Sequence, residues 1–212
     1  MFDRNRFRSR ALLWIQWVLV SILGWGIGLI PAYIVDTILI KNFGYHFRDF
    51  MAFVVIGFSL GVTQWLVLRQ YFPRSIQWIL ATSAGIAVGW NAIFVDAAFE
   101  IASMNGLSTR HASNVTFHFI LGIISGTILG IAQWIVLRQK FQQAKLWIFA
   151  NAIGEGLASA LYRMWFTGFR GSLEGGLLAH LVIYKGIAMA ITGFLLVYLL
   201  YSVPLKKKQL DA

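Results

Sequence analysis

The chain has 212 residues, of which 58% are hydrophobic and 12% are charged, and its formal net charge is +10. Because this small number of charged residues cannot cover the surface of a soluble domain, the composition indicates a membrane protein. Cysteine is absent, which excludes disulfides, cysteine-ligated zinc, iron–sulfur clusters and thiol catalysis.

The first apolar run, Ala11 to Ile30, follows a basic N-terminal segment. It is longer than the core of a signal peptide, so we interpret it as a retained membrane span. A helix needs about 20 mostly apolar residues to cross a bilayer. The sequence therefore predicts an all-α fold, one polytopic transmembrane domain over residues 1–212, with six helices at Ala11–Ile34, Phe50–Leu68, Ile76–Val95, Phe117–Leu137, Leu146–Trp165 and Leu177–Val203.

The basic residues predict the direction of these spans. If the N-terminus is inside, the inner segments hold 12 of the 18 Lys and Arg residues, and most acidic residues lie outside. Cytoplasmic loops carry such an excess of basic residues. We therefore expect both termini in the cytoplasm. The surplus charge serves topology and contacts anionic lipid headgroups, and nucleic acid is not an expected partner because no base-stacking module accompanies the charge.

Residues 61–85 repeat at 130–154, with 12 identities in 25 positions and no gap. A third copy is fainter and aligns on the motif Trp-x6-Gly of the odd helices. We predict three two-helix hairpins, at approximately 11–70, 76–139 and 145–203, around a pseudo-threefold axis along the membrane normal. Each helix also carries two small residues four apart, which let backbones approach closely, so we expect odd and even helices to meet along these faces.

The repeated segments Gln64–Gln70 and Gln133–Gln139 share the pattern QW-VLRQ. In this pattern the chain resembles uncharacterised multi-pass membrane proteins of cyanobacteria and related bacteria. The resemblance implies a bacterial inner (plasma) or thylakoid membrane. It implies no activity, cofactor or site residue.

Residues shared between the copies are candidates for the scaffold. Arg69 and Arg138, with Trp65 and Trp134, are expected at the inner interface as anchors, the alternative being a groove for lipid headgroups or a partner. Trp14, Trp17, Trp78 and Trp147 are expected at the same level. Gln64 and Gln133 lie deeper, where they form interhelical hydrogen bonds or line a polar pathway.

Glu155 and Lys185 break the repeat, since their equivalents are Trp25 and Ile86, and Ile56 and Ser125, respectively. Both are predicted near the middle of consecutive antiparallel helices, at depths that differ by a few ångström. An unpaired charge there is costly, so we predict an ion pair between them. The pair is either a static lock between two helices or part of a functional site.

The predicted outer end of the bundle is rich in polar residues. Asp96 and Glu100 lie four apart and so share a helical face, and His118 and His180 lie near the ends of spans. Ordinary interfacial polarity explains them, and the alternative is a metal, proton or pigment site.

Two hypotheses for function follow. The first is binding or passage of a small solute or ion through the bundle, with Glu155, Lys185, Asp96 and Glu100 as the polar residues involved. The second is a non-catalytic membrane subunit or assembly factor that binds partner helices, lipids or pigments. An intramembrane enzyme is less favoured because no nucleophile motif is present, and the sequence identifies no cofactor.

Overall fold

A computed structural model of the chain describes residues 4–39, 45–71, 75–103, 115–168 and 184–202. These ranges contain six helices, so the predicted all-α fold is confirmed. The helices are α1 (Arg4–Leu39), α2 (Tyr45–Leu68), α3 (Gln77–Ser103), α4 (Val115–Leu137), α5 (Leu146–Gly168) and α6 (Gly186–Ser202).

Several helices are longer than their apolar runs. Helix α1 has 36 residues, includes the basic N-terminal segment and continues through Pro31, and α3 extends to Ser103 instead of Val95. The prediction ended each helix at its last apolar residue, whereas a helix persists for as long as its backbone hydrogen bonds do. The part of the predicted sixth helix before residue 184 lies outside the described residues.

Among the residues that the structure describes, three helical segments are long and apolar enough to cross a membrane. They are Ser9–Val35, Phe47–Leu68 and Val115–Leu137, with 27, 22 and 23 residues. Residues Gly186–Tyr201 of α6 form a shorter apolar helix. Large apolar side chains on the outside of α1, including Leu23 and Ile30, are more than half exposed, as expected of a surface that faces an apolar solvent.

The six helices form a closed ring. Each packs against the next along the chain, and α6 returns to pack against α1. Neighbouring helices are antiparallel, as contacts of Gly24 with Leu60 and of Gly28 with Ile56 show for α1 and α2. We call the end where α1, α3 and α5 begin the proximal end, and the opposite end the distal end.

Glycines allow this close packing, and the predicted contacts along small-residue faces are confirmed for five pairs of helices. A Cβ atom at Gly126 would meet the backbone carbonyl oxygen of Asn151, and one at Gly61 would lie 2.9 Å from the Cα atom of Ile79. The contact of α6 with α1 is looser, since a Cβ at Gly186 would have its nearest neighbour 3.8 Å away, whereas a Cβ at Gly154 of α5 would lie 3.2 Å from the carbonyl oxygen of Ala188 of α6. Equivalent contacts join α1 to α2 and α3 to α4, through Gly24, Gly28, Gly85 and Gly89.

Three tryptophans form the proximal core. Trp17, Trp78 and Trp147 are each 0% exposed, and their ring centroids lie 5.7–6.0 Å apart in mutual edge-to-face contact. The expectation that they are interfacial anchors is therefore wrong. They come from three different helices, and the ring closure turns all three towards its axis. We call these residues the tryptophan cluster.

Candidate functional site

Glu155 of α5 and Lys185 at the start of α6 form an ion pair. The Lys185 ammonium donates hydrogen bonds of 2.9 and 3.2 Å to the two carboxylate oxygens of Glu155. The residues are 2% and 1% exposed, respectively. The structure thus confirms the predicted pair and places it in the interior of the bundle, where charges are costly unless paired.

Three aromatic rings surround the same ammonium group. The Lys185 nitrogen lies 3.9 Å from the ring centroid of Trp25, 4.6 Å from that of Tyr184 and 5.1 Å from that of Trp90. These distances fall within the range of cation–π attraction, which is stronger where water is excluded. We call Trp25, Trp90 and Tyr184 the aromatic cage. The aromatic cage and Glu155 together join α1, α3 and α5 to the two residues that directly precede α6.

A regular spacing along the odd helices directs the site to the axis. Trp25 lies eight residues after Trp17 of the tryptophan cluster, as Glu155 does after Trp147. Eight residues are slightly more than two helical turns, so each pair shares one face, and the cage lies about 12 Å along the axis from the cluster. The site therefore occupies the distal half of the bundle.

Close packing and local geometry hold the pair in place. A Cβ atom on Gly122 of α4 would meet the carbonyl oxygen of Glu155 and the hydroxyl of Ser159, so glycine allows α5 to approach. The chain has π-helical geometry at Tyr184 and Lys185. Such wide turns are frequent at functional sites. The contact made by Gly122 was not predicted from sequence.

Further aromatic and polar groups extend the site outward. Tyr184 packs edge-to-face against Trp90 and Tyr162, with centroids 5.9 Å apart in both contacts. The Tyr184 hydroxyl lies 3.1 Å from the Ser159 hydroxyl. Trp90 and Tyr162 are partly exposed, so the buried cage is connected to the surface through aromatic side chains.

Gln64 and Gln133 make interhelical hydrogen bonds, one of the two roles predicted for them. Trp78 donates its indole N–H to Gln64 Oε1 at 3.0 Å, and Gln64 donates to Ser21 Oγ at 3.1 Å. The equivalent bond in the next copy of the repeat is donated by the Trp147 indole N–H to Gln133 Oε1 at 2.8 Å.

Trp17, the third member of the tryptophan cluster, donates to the Thr192 hydroxyl at 3.2 Å. The third hairpin has Gly193 at the position of the glutamine, so a neighbouring residue supplies the acceptor. All three indole N–H groups of the cluster are thus bonded to side chains. The cluster closes the axis on the proximal side of the cage.

The predicted interfacial residues pair with each other at the proximal end. The guanidinium of Arg69 lies 5.2 Å from the ring centroid of Trp65, and that of Arg138 lies 5.0 Å from that of Trp134. A third pair, Arg10 over Tyr201 at 5.1 Å, was not predicted. Arg69 and Arg138 are exposed and Arg10 is partly buried. Arginines stacked on aromatic rings at one end of the bundle resemble the interfacial belts of membrane proteins.

The remaining predicted site residues are Asp96, Glu100, His118 and His180. Asp96 and Glu100 belong to α3, but their side chains lie outside the described residues, as does His180. His118 packs its ring against Phe117, with centroids 5.9 Å apart. Within the described ranges, no group of three His, Asp or Glu side chains forms a metal site.

Sequence reasoning identified the charged pair but not the aromatic cage. One signal was present: Trp25 is the residue that the repeat places at the position of Glu155. Trp90 was not singled out from the sequence, because the pattern does not show that α3 passes beside the pair.

Comparisons with protein-family models, with curated proteins and with solved structures gave no match to this chain.

Proposed function

We propose that the chain is an integral membrane protein in which all six helices span the bilayer, as three parallel hairpins about a pseudo-threefold axis. Matching contacts support this arrangement. Gly57 faces Ser83, Gly126 faces Ala152, and Gly186 faces Ile22, positions that the sequence repeat makes equivalent. The hydrogen bonds of Trp78 and Trp147 also join equivalent positions, and that of Trp17 ends one residue away from the equivalent position.

The proximal end is the cytoplasmic one in this proposal, and the membrane is a bacterial inner or thylakoid membrane. The grouping of basic residues supports this orientation. The chain has no native cysteine, so single cysteines test the topology. We expect a membrane-impermeant maleimide to label Lys140→Cys from the cytoplasmic side and Ile38→Cys from the outer side. The reverse pattern would refute the orientation.

Arg69, Arg138 and Arg10 are proposed to contact anionic lipid headgroups at that end. Their stacking on aromatic rings supports this role, because Trp and Tyr favour the interface and Arg is attracted to lipid phosphate.

The principal function that we propose is binding of a small solute or ion at the Glu155–Lys185 pair, reached from the distal end. The observation that carries this proposal is an ion pair buried in an aromatic cage where the sequence departs from its own repeat. Ionisable residues within membrane spans are rare and mostly functional. Passage of the solute requires the tryptophan cluster, which closes the axis, to open.

The test has two stages. Thermal unfolding of the purified protein is measured with a panel of inorganic ions, amines, carboxylates and neutral solutes. Any stabilising solute is then offered to proteoliposomes in radiolabelled form. We expect Glu155→Gln together with Lys185→Met to abolish its binding, and Lys140→Gln, an exposed control, to leave it unchanged. Binding that survives the double substitution would refute the site.

The second candidate is a non-catalytic subunit or assembly factor that binds partner helices, lipids or pigments. The closed axis favours this candidate, because the tryptophan cluster blocks a solute route along the axis in this structure. Purification in mild detergent distinguishes the two: a stoichiometric membrane partner or a visible absorption band would favour the subunit.

A further inference from the structure

We infer that the aromatic cage and Glu155 form a recognition site for an organic ammonium ion, and that the side chain of Lys185 is its built-in, displaceable occupant. This inference rests on the proposed solute-binding function and names the class of ligand.

The composition of the site selects a cation. Three rings present their electron-rich faces to one point, where the Lys185 nitrogen lies within 3.9–5.1 Å of their centroids. Glu155 supplies the compensating charge at 2.9 Å. Aromatic cages of this kind recognise alkylated ammonium groups, because the rings replace hydration at little cost.

The same geometry disfavours other ligands. An anion would meet the negative faces of the rings, and Glu155 already neutralises Lys185. Calcium takes six to eight oxygen ligands, and magnesium demands octahedral oxygen coordination, whereas this site offers one carboxylate and two hydroxyls, those of Ser159 and Tyr184. An alkylammonium ion needs only apolar contact, a few acceptors and one negative charge.

Three features support displacement of Lys185. Its ammonium lies at the end of a flexible four-carbon stem, so the head leaves the cage by rotation of side-chain bonds. Lys185 lies in a π-helical turn, a geometry that is frequent at functional sites. Trp90, one wall of the cage, and Tyr162, which packs against Tyr184, are both partly exposed, so the cage reaches the surface through these two side chains.

Competition with a tethered group sets the expected affinity. An intramolecular occupant acts at an effective concentration in the millimolar range or higher. A free ammonium ion must compete with it, so the wild-type protein is expected to bind weakly and to bind more tightly once the lysine head is removed.

The test uses n-propylammonium, which has the four heavy atoms that Lys185→Ala removes. Binding is measured on the purified full-length chain with radiolabelled n-propylammonium and with thermal unfolding. We expect saturable binding by the wild-type protein and binding about tenfold or more tighter by Lys185→Ala, a gain of about 1.4 kcal/mol per factor of ten. Adding Glu155→Gln to Lys185→Ala should weaken binding at least about tenfold, because the counter-charge is lost.

A second measurement does not depend on how Lys185→Ala folds. Tetramethylammonium binding to the otherwise wild-type chain is compared between Trp25→Leu and Trp134→Leu. We expect the first to lose binding and the second, which changes a tryptophan at the proximal end, to retain it. Equal effects of the two substitutions would overturn the inference.

Two neutral or anionic probes, 1-propanol and propionate, separate this inference from the proposed function. If the wild-type protein binds either of them in a manner that requires Glu155 and Lys185, the ammonium class is wrong and the proposed function stands. If Lys185→Ala binds n-propylammonium and the wild type does not, the Glu155–Lys185 pair is static and the inference is overturned. If the wider solute panel also gives no ligand, both proposals fall.

Discussion

The buried ion pair gives a quantitative test of how the bundle is stabilised. The perturbation is a double-mutant cycle with Glu155→Leu, Lys185→Met and the combined variant. Each single substitution removes one partner and leaves the other charged group in a site that is 1–2% exposed. The combined variant replaces both with apolar side chains of similar length.

The structure sets the expected magnitudes. Breaking a buried ion pair on one side costs about 3–5 kcal/mol, whereas replacement of both partners by apolar groups is often neutral or stabilising. For Lys185→Met the loss also includes cation–π contacts, of which a desolvated one contributes about 2 kcal/mol. We therefore expect each single variant to lose about 3–5 kcal/mol, and the combined variant to be more stable than either.

The assay is reversible unfolding in mixed micelles titrated with sodium dodecyl sulfate, followed by far-ultraviolet circular dichroism. The matched control is Arg48 and Asp49, an ion pair of 2.7 Å whose side chains are 18% and 25% exposed. Because water screens it, its coupling energy should stay below about 1 kcal/mol. If the substitutions at Glu155 and Lys185 add within about 0.5 kcal/mol, the reasoning on burial is refuted.

Two further predictions concern the packing of the helices. Gly126→Ala should lower the free energy of unfolding by about 1–3 kcal/mol, because overpacking forces the backbone apart. A Cβ at Gly186 would make only an ordinary contact of 3.8 Å with Ile22, so Gly186→Ala should be neutral in the same unfolding assay. Equal losses would refute the close-contact explanation. Gln133→Leu should lower the free energy of unfolding by about 0.6–2 kcal/mol, because it leaves the Trp147 indole N–H without its acceptor. The control Gln139→Leu, at an exposed position, should change the same free energy by less than about 0.5 kcal/mol. A Gln133→Leu variant as stable as the wild type would contradict this prediction.

Much of the scaffold is readable from the sequence. Long apolar runs favour helices because every backbone polar group must be bonded internally in an apolar surrounding. Glycines four residues apart mark a face that permits close approach, and the structure places Gly57, Gly61, Gly126 and Gly130 at such contacts. The boundaries were less accurate, since α1 and α3 continue past their apolar residues.

The tryptophans show where sequence reasoning is insufficient. Residue type and position along the helix predict that Trp17, Trp78 and Trp147 are interfacial anchors, yet each is 0% exposed. Which face of a helix turns inward depends on all its neighbours, and an apolar exterior removes the polar pattern that marks the outer face in soluble proteins. The direction of a large apolar side chain was therefore not predictable from its position along the chain.

By itself the sequence determined the all-α class, the glycine contact faces and the pairing of Glu155 with Lys185. These follow from local composition, from the spacing of small residues and from the cost of a lone buried charge. Only the tertiary structure decided that Trp25, Trp90 and Tyr184 surround the lysine and that three tryptophans close the axis. Those contacts join residues far apart in the chain, and they depend on how the ring of helices closes.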